Sequence, residues 1–312
     1  MAVVFVSGPL AGDAVAHLAL VHRVIEGAAG VAHAPADTEA LICLLTDRVD
    51  ESLLARLPKL RVVANVAVGT DNIDLAACKA RNVVVTNTPD VLTEATADLA
   101  FGLLLSAARR IAEGDRFVRG GGLVGFSPTF FIGARVHGAR LGIVGLGRIG
   151  RAMARRARGF GMRVLYTQHQ RVEEPLERAL GVTFVAALDE LLAHVDFVSI
   201  HCPFTPETRH LLSAARLALL PKHAILVNVA RGPIVDEAAL AEALSNGTLA
   251  AAGLDVFEHE PRVHDALKSL PNVVLTPHIG SAEQETREEM AAGAVLNVAR
   301  VLEGEAPITP VT

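Results

Sequence analysis

Tryptophan is missing from this 312-residue chain and tyrosine occurs once. The apolar share nevertheless reaches 51%, carried by many Ala and Val residues. That composition suits small side chains packing helices onto a sheet and excludes a disordered chain. Cysteine is scarce, with Cys43, Cys78 and Cys202 odd in number and widely spaced. A disulfide framework or zinc knuckle is thereby disfavoured, and a reducing compartment, the cytoplasm, is expected. The 12 histidines show no metal-ligand spacing, so no metal is expected. Lys and Arg are scattered rather than gathered, and the formal net charge is -5, which argues against a nucleic-acid partner. The start MAVVFVSGPL has no basic residue and is soon punctuated by Gly8-Pro9, unlike a signal peptide. Apolar runs such as LAFGLLLSAARRI are shorter than a membrane span and end in charge, so no membrane partner is expected.

The length suits two domains of about 150 residues each. Short β-rich runs alternate with helical segments throughout. One series comprises Val3–Val6, Ala40–Leu45, Arg61–Val66 and Val83–Thr86. A second comprises Leu141–Val144, Arg163–Tyr166, Phe197–Ile200, Ala224–Val227, Ala251–Val256 and Val273–Leu275. Continuous apolar strands separated by helices predict parallel sheets buried on both faces, hence an α/β chain with two doubly wound domains. Between the series, Thr93–Arg110 reads as a connecting helix. The segment from Phe117 to Gly138 follows, weak in period and containing Phe126, Phe130 and Phe131. It reads either as an arm burying aromatics against another subunit or as a surface loop with its aromatics tucked beneath.

The run Gly145-Leu-Gly-Arg-Ile-Gly150 sits where strand Leu141–Val144 gives way to the helical ARRARG stretch. At such a turn Gly145 permits the bend, Gly147 lets the backbone approach a pyrophosphate, and Gly150 lets helix and strand pack closely. A dinucleotide site is predicted. The second strand of such a unit usually ends in an acid that bonds the adenosine ribose. Here VLYTQHQR supplies Thr167 and Gln168 instead, followed by His169 and Arg171. An absent carboxylate removes repulsion against a 2′-phosphate, and His169 and Arg171 can donate to one, so NADP is expected in preference to NAD.

Further on, three predicted strands end in polar residues: Arg231 in NVARGP, Glu260 in LDVFEHEP and His278 in LTPHIGS. In an open α/β sheet the carboxyl ends of strands face the ligand. A guanidinium can hold a substrate carboxylate and polarise the neighbouring carbonyl. An imidazole can give a proton to the oxygen, and a carboxylate can orient that ring and favour its protonated form. Together they match hydride transfer to a 2-oxoacid.

The runs VGLGRIG, HCPFTPETRHLL, LVNVARGPIVDEAAL, AAGLDVFEHEP and VLTPHIGSA, with VGTDNIDL and VLTEATADLA earlier, cover nearly the whole chain. They resemble the D-isomer-specific 2-hydroxyacid dehydrogenase family, and through GARVHGARLGIVGLGRIG and LTEATADLAFGLLL its glyoxylate/hydroxypyruvate reductase branch. The resemblance implies a flavodoxin-like substrate domain, residues 1–95 plus 283–312, and a Rossmann nucleotide domain, residues 96–282, with a cleft between. It implies catalysis by Arg231, Glu260 and His278, and a substrate-carboxylate grip by the backbone of Val68 and Gly69 beside Arg231 and His278. Cofactor contacts would come from Thr93, Arg148, Ile149, Cys202, Pro203, Thr208, Val229, Ala230, Arg231, Asp255, His278 and Gly280, besides the glycines and the Gln168–Arg171 loop. An arm-exchanged homodimer would explain the aromatic segment. A dinucleotide-sensing interaction protein of the corepressor type shares the fold and is the rival reading; an assay with 2-oxoacids separates the two.

Overall fold

A computed structural model of the chain describes residues 1–27, 30–123 and 125–311. They form two compact units, Met1–Leu92 with Ser281–Thr312, and Thr93–Gly280.

The first unit carries β1 (Val3–Val6), β2 (Arg23–Glu26), β3 (Ala40–Cys43), β4 (Val62–Asn65) and β5 (Val84–Thr86) in one parallel sheet of order β2-β1-β3-β4-β5. Every residue of β1, β3 and β4 is buried, as continuous Val, Ile, Leu and Ala runs require when helices cover both faces. The helix Gln284–Glu303 returns from the far end of the chain onto β3, β4 and β5. Its C-terminus is fastened by Arg61, whose Nη2 donates to the Val301 and Leu302 carbonyls at 2.8 and 3.3 Å. A cation there opposes the negative end of the helix dipole.

The second unit carries β6 (Arg140–Val144), β7 (Arg163–Thr167), β8 (Val182–Phe184), β9 (Phe197–Ile200), β10 (Ile225–Asn228), β11 (Ala251–Leu254) and β12 (Val273–Leu275). They form one parallel sheet in the order β12-β11-β10-β9-β6-β7-β8. From β6 the chain moves to β7 on one side and returns at β9 on the other. The carboxyl ends of β6 and β9 therefore flank the switch point where open sheets bind ligands.

Two strands had no counterpart among the predicted ones, β2 and β8, and both lie at sheet edges. Edge strands keep a solvated side, so β2 ends in exposed Arg23 and Glu26 and lacks the continuous apolar run of an inner strand. The connecting helix runs over Thr93–Ala108 and stops before Arg110, whose φ of 55° breaks it. A separate helix, Ile111–Arg119, follows and enters the aromatic segment. There Phe117, Phe130 and Phe131 close on one another with ring centroids 4.7–5.3 Å apart, and the Arg110 guanidinium lies 4.4 Å over Phe131. Phe126 points outward, 96% exposed. Val124, in the same segment, lies outside the described residues. Among the described residues no helix is long and apolar enough to cross a membrane.

Candidate active site

At the end of β6 the chain turns through Gly145 at φ 94°, where a Cβ would stand 2.7 Å from the Cys202 backbone nitrogen. A Cβ on Gly150 would stand 2.2 Å from the Gly145 carbonyl oxygen, so turn and helix close directly on each other. Gly147 differs: a Cβ there would meet nothing within 4 Å. It faces open space at the N-terminus of helix Arg148–Gly159, which has no side-chain cap. The first-turn N–H groups of a helix that long present partial positive charge. Glycine backbone, open space and uncapped helix end fit a dinucleotide pyrophosphate.

Beside this turn, Gln168 follows β7. Its Oε1 accepts from the Leu146 N–H at 2.9 Å and its Nε2 donates to the Gln170 carbonyl at 2.5 Å. No carboxylate occupies that position. Arg171 stands differently from the open phosphate fork expected of it: Nε and Nη2 donate to the two oxygens of Glu177 at 2.8 and 2.7 Å. The Tyr166 hydroxyl also donates to Glu177, at 2.5 Å, and accepts from the Val172 N–H. Glu177 is 6% exposed. A carboxylate that deep needs charged or hydroxyl partners, and the hydrogen bonds from Arg171 and Tyr166 hold it down to about 2. Burial, with the Glu177 hydrogen bond, pushes the Tyr166 hydroxyl up to about 12. His169 lies within electrostatic reach of Glu207.

Arg231, Glu260 and His278 come from the loops after β10, β11 and β12, and the structure brings them together. Buried Asn228 shapes the first loop: Oδ1 accepts from the Ala230 N–H at 3.0 Å and Nδ2 donates to the Arg231 carbonyl at 2.9 Å. Glu260 accepts from the Phe257 N–H at 3.0 Å on Oε1 and pairs with His278 Nδ1 at 2.8 Å through Oε2. Burial raises the Glu260 carboxyl, but the hydrogen bonds from His278 and Phe257 and the charges of His278 and Arg231 outweigh it, so the net shift is downward. Because Nδ1 faces this carboxylate, Nε2 is the nitrogen turned away from it and able to exchange a proton with a ligand.

His278 has φ 55°, a left-handed conformation that costs a residue bearing a Cβ about 1–2 kcal/mol. Asp255, 1% exposed, holds it there. Its carbonyl accepts from the His278 N–H, and its carboxylate accepts from Thr276 Oγ1 at 2.6 Å and from the Ile279 and Gly280 N–H groups at 2.8 Å each. Both Asp255 oxygens, expected to meet the cofactor, are thus engaged by the histidine loop. Burial sets the direction of its shift, upward. Thr208 likewise closes its own loop, donating to the Pro203 carbonyl at 2.9 Å and accepting from the Thr205 N–H at 2.7 Å. Cys202 is half-buried, and burial pushes its thiol up to about 11, so it stays protonated at neutral pH. Thr93, Val229 and Ala230 lie in the same unit, Thr93 as the first residue of its helix.

In the first unit, the loop after β4 carries Val68 and Gly69. The Ala67 carbonyl accepts from the Thr88 N–H at 2.9 Å, the Val68 carbonyl from Asn87 Nδ2 at 2.8 Å, and the Gly69 carbonyl from Asn65 Nδ2 at 2.8 Å. In a trans peptide the N–H points opposite the preceding carbonyl. Pinning the Ala67 and Val68 carbonyls on one side therefore turns the Val68 and Gly69 N–H groups to the other. The signal for Asn65 and Asn87 in the sequence is weak: in ANVAVGTDN, Asn65 is an amide flanking the apolar stretch 66–69, which has no side-chain donor, and Asn87 lies apart in NTPD. Glu177 leaves no distinct mark in the sequence either, since an acid near a helix start reads as a dipole partner.

Residues 101–280 match the family described as D-isomer specific 2-hydroxyacid dehydrogenase, NAD binding domain. Glyoxylate reductase from Pyrococcus horikoshii is 51% identical over 277 residues, 88% of this chain and 82% of that protein. Among solved structures, the TT0316 protein from Thermus thermophilus superposes with a TM-score of 0.93 at 43% identity, covering 99% of this chain and 100% of that one. The NADPH-dependent glyoxylate/hydroxypyruvate reductase from Sinorhizobium meliloti, in complex with NADP and malonate, gives a TM-score of 0.89 at 36% identity over 100% of this chain and 97% of that one.

Proposed function

The chain belongs to the D-isomer specific 2-hydroxyacid dehydrogenase family, and from that premise we propose that it reduces glyoxylate and hydroxypyruvate to the 2-hydroxyacids, with NADPH preferred over NADH. The observation that carries the chemistry is the 2.8 Å pairing of His278 Nδ1 with Glu260, within electrostatic reach of Arg231, in the unit that also holds the glycine turn.

A nicotinamide cofactor, when held by this unit, would supply the hydride for the carbonyl carbon. Arg231 binds the substrate carboxylate and draws electron density toward the carbonyl oxygen. His278 gives its Nε2 proton to that oxygen as the C–H bond forms, so each turnover consumes one hydride and one proton. Glu260 stabilises the protonated imidazole and keeps the ring from rotating. The N–H groups of Val68 and Gly69 take the carboxylate in the first unit, to which we assign substrate binding. Gly145, Gly147, Arg148, Ile149 and Gly150 hold the pyrophosphate, and Thr93, Cys202, Pro203, Thr208, Val229, Ala230 and Gly280 line the cofactor. NADP preference is supported by Gln168 in place of an acid and by two side chains with N–H donors, His169 and Arg171, the latter 59% exposed beyond its pairing. Glyoxylate and hydroxypyruvate are supported by the names of the relatives. We further assign a homodimer formed through residues 117–138, supported by exposed Val118, Leu123, Phe126 and Ile132. A cytoplasmic location is supported by the free cysteines.

The deciding assay follows NADPH and NADH oxidation with a panel of 2-oxoacids. Turnover of glyoxylate and hydroxypyruvate with a higher kcat/KM for NADPH is expected. A clear NADH preference overturns the cofactor half. Silence across the panel with tight cofactor binding overturns the reductase and favours the sensor.

A further inference from the structure

Glu237 opens the helix Glu237–Ser245 that follows the Arg231 loop and is 8% exposed. Its helix already has a cap, since the Asp236 carboxylate accepts from the Ala239 N–H. The Glu237 side chain turns elsewhere. Oε2 accepts from the Glu258 N–H at 2.6 Å and Oε1 from the His264 N–H at 2.8 Å, so one buried carboxylate grips the backbone on both sides of Glu260. Glu258 returns the contact: its Oε2 accepts from the Glu237 N–H at 3.4 Å, while Oε1 pairs with His210 Nε2 at 2.6 Å and Arg209 Nη2 at 3.3 Å. Between residues 257 and 264 the only backbone pairing recorded among the described residues is the bridge of His259 with Arg262. The bond from the Phe257 N–H to Glu260 Oε1 closes one end of this turn, and the rest of its path depends on what grips it from outside. Hydrogen bonds to an ionised carboxylate are roughly twice as strong as neutral ones.

Resting on the acid–base reading above, we propose that Glu237 is a positioning residue: its carboxylate fixes the turn from Phe257 to His264 so that Glu260 meets His278 Nδ1. Facing Glu237 and its partner are Glu258, Arg209 and His210; facing His278 are Glu260, Asp255 and, across Glu260, Arg231. Glu237 touches neither His278 nor the substrate in this assignment and acts only through Glu260.

Glu237→Gln tests it, since the amide puts an N–H donor against one of the two backbone N–H groups. Glu260 at 2.8 Å from Nδ1 favours the charged imidazole over the neutral one, and reduction needs that proton. The high-pH limb of the kcat/KM profile is expected to move down by about one pH unit and kcat to fall about tenfold, the scale of one charge-assisted hydrogen bond. The cofactor dissociation constant is expected to stay within about twofold. In a Glu260→Gln background the same substitution should move the limb no further. An unmoved limb, or an additive shift in that background, overturns the proposal. If E237Q does not fold, Glu258→Gln loosens the other half of the clasp: a downward shift supports the proposal and an unmoved limb overturns it. Glu260→Gln alone reports on the underlying reading, because a limb that ignores it removes the acid–base pair itself, whatever Glu237 does.

Discussion

Two loops of the second unit, one after β7 and one after β11, are each backed by a buried glutamate on a neighbouring helix, and the two carboxylates act in opposite ways. Glu177 accepts from side chains, the guanidinium of Arg171 and the hydroxyl of Tyr166. It therefore sets the charge the loop presents, partly neutralising a cation the loop would otherwise offer to a ligand. Glu237 accepts from main-chain N–H groups. It sets a path and leaves the charge of Glu260 for His278. A buried carboxylate tunes affinity when aimed at side chains and geometry when aimed at backbone, so the two loops should fail differently when disturbed.

Of disturbances to these two loops, the larger effect is expected at Gly232, beside Arg231. A Cβ there would lie 1.9 Å from the Phe257 carbonyl carbon, so Gly232→Ala must displace the Glu260 turn or the Arg231 loop. Displacement of catalytic groups by about 1 Å can cost on the order of a hundredfold in rate. A loss of that size in kcat/KM, with the cofactor dissociation constant nearly unchanged, is the expected outcome of steady-state kinetics paired with a fluorescence titration. A variant as active as wild type would show that the close approach is not needed.

A smaller effect, of the other kind, is expected at Glu177→Gln. It should leave kcat nearly intact and raise the NADPH-over-NADH ratio of kcat/KM by about threefold, the scale of one screened charge near a phosphate. An unchanged ratio would separate this loop from cofactor choice. The same variant carries a pH signature. Glu177 is held at about 2 in the fold, against an ordinary value of 4.5. Its stabilisation is fully present above the unfolded value and is lost as pH falls through the folded one. Urea unfolding should therefore show the gap between wild type and variant full at neutral pH and shrinking between about pH 4.5 and about pH 2. A gap unchanged across that window would contradict the pairing.

The parts legible in the sequence were those whose signal is local. Inner strands showed as unbroken Val, Ile and Leu runs, and the glycine turn as a strand-to-helix junction. Arg231, Glu260 and His278 stood out as polar residues at strand ends. The edge strands β2 and β8 escaped because RVIE and VTF break the apolar run with polar residues, whereas the other two edge strands, β5 and β12, keep a Val-Val pair. Arg171 was visible as a cation, but its neutralising partner lies six residues on in a helix. The clasp of Glu237 was hidden because its acceptors bond to backbone 21 and 27 residues away, and backbone donors leave no mark in a sequence. Asn65 and Asn87 were hidden for the complementary reason, since the carbonyls they pin belong to every residue type.

Proton donation by His278 is tested most directly by initial rates of NADPH oxidation with glyoxylate for wild type and His278→Ala, with the NADPH dissociation constant measured alongside. We expect kcat to fall at least about a hundredfold, the lower bound for losing a general acid, while the dissociation constant stays within about twofold. A variant that binds NADPH normally and turns over within tenfold of wild type would contradict that role.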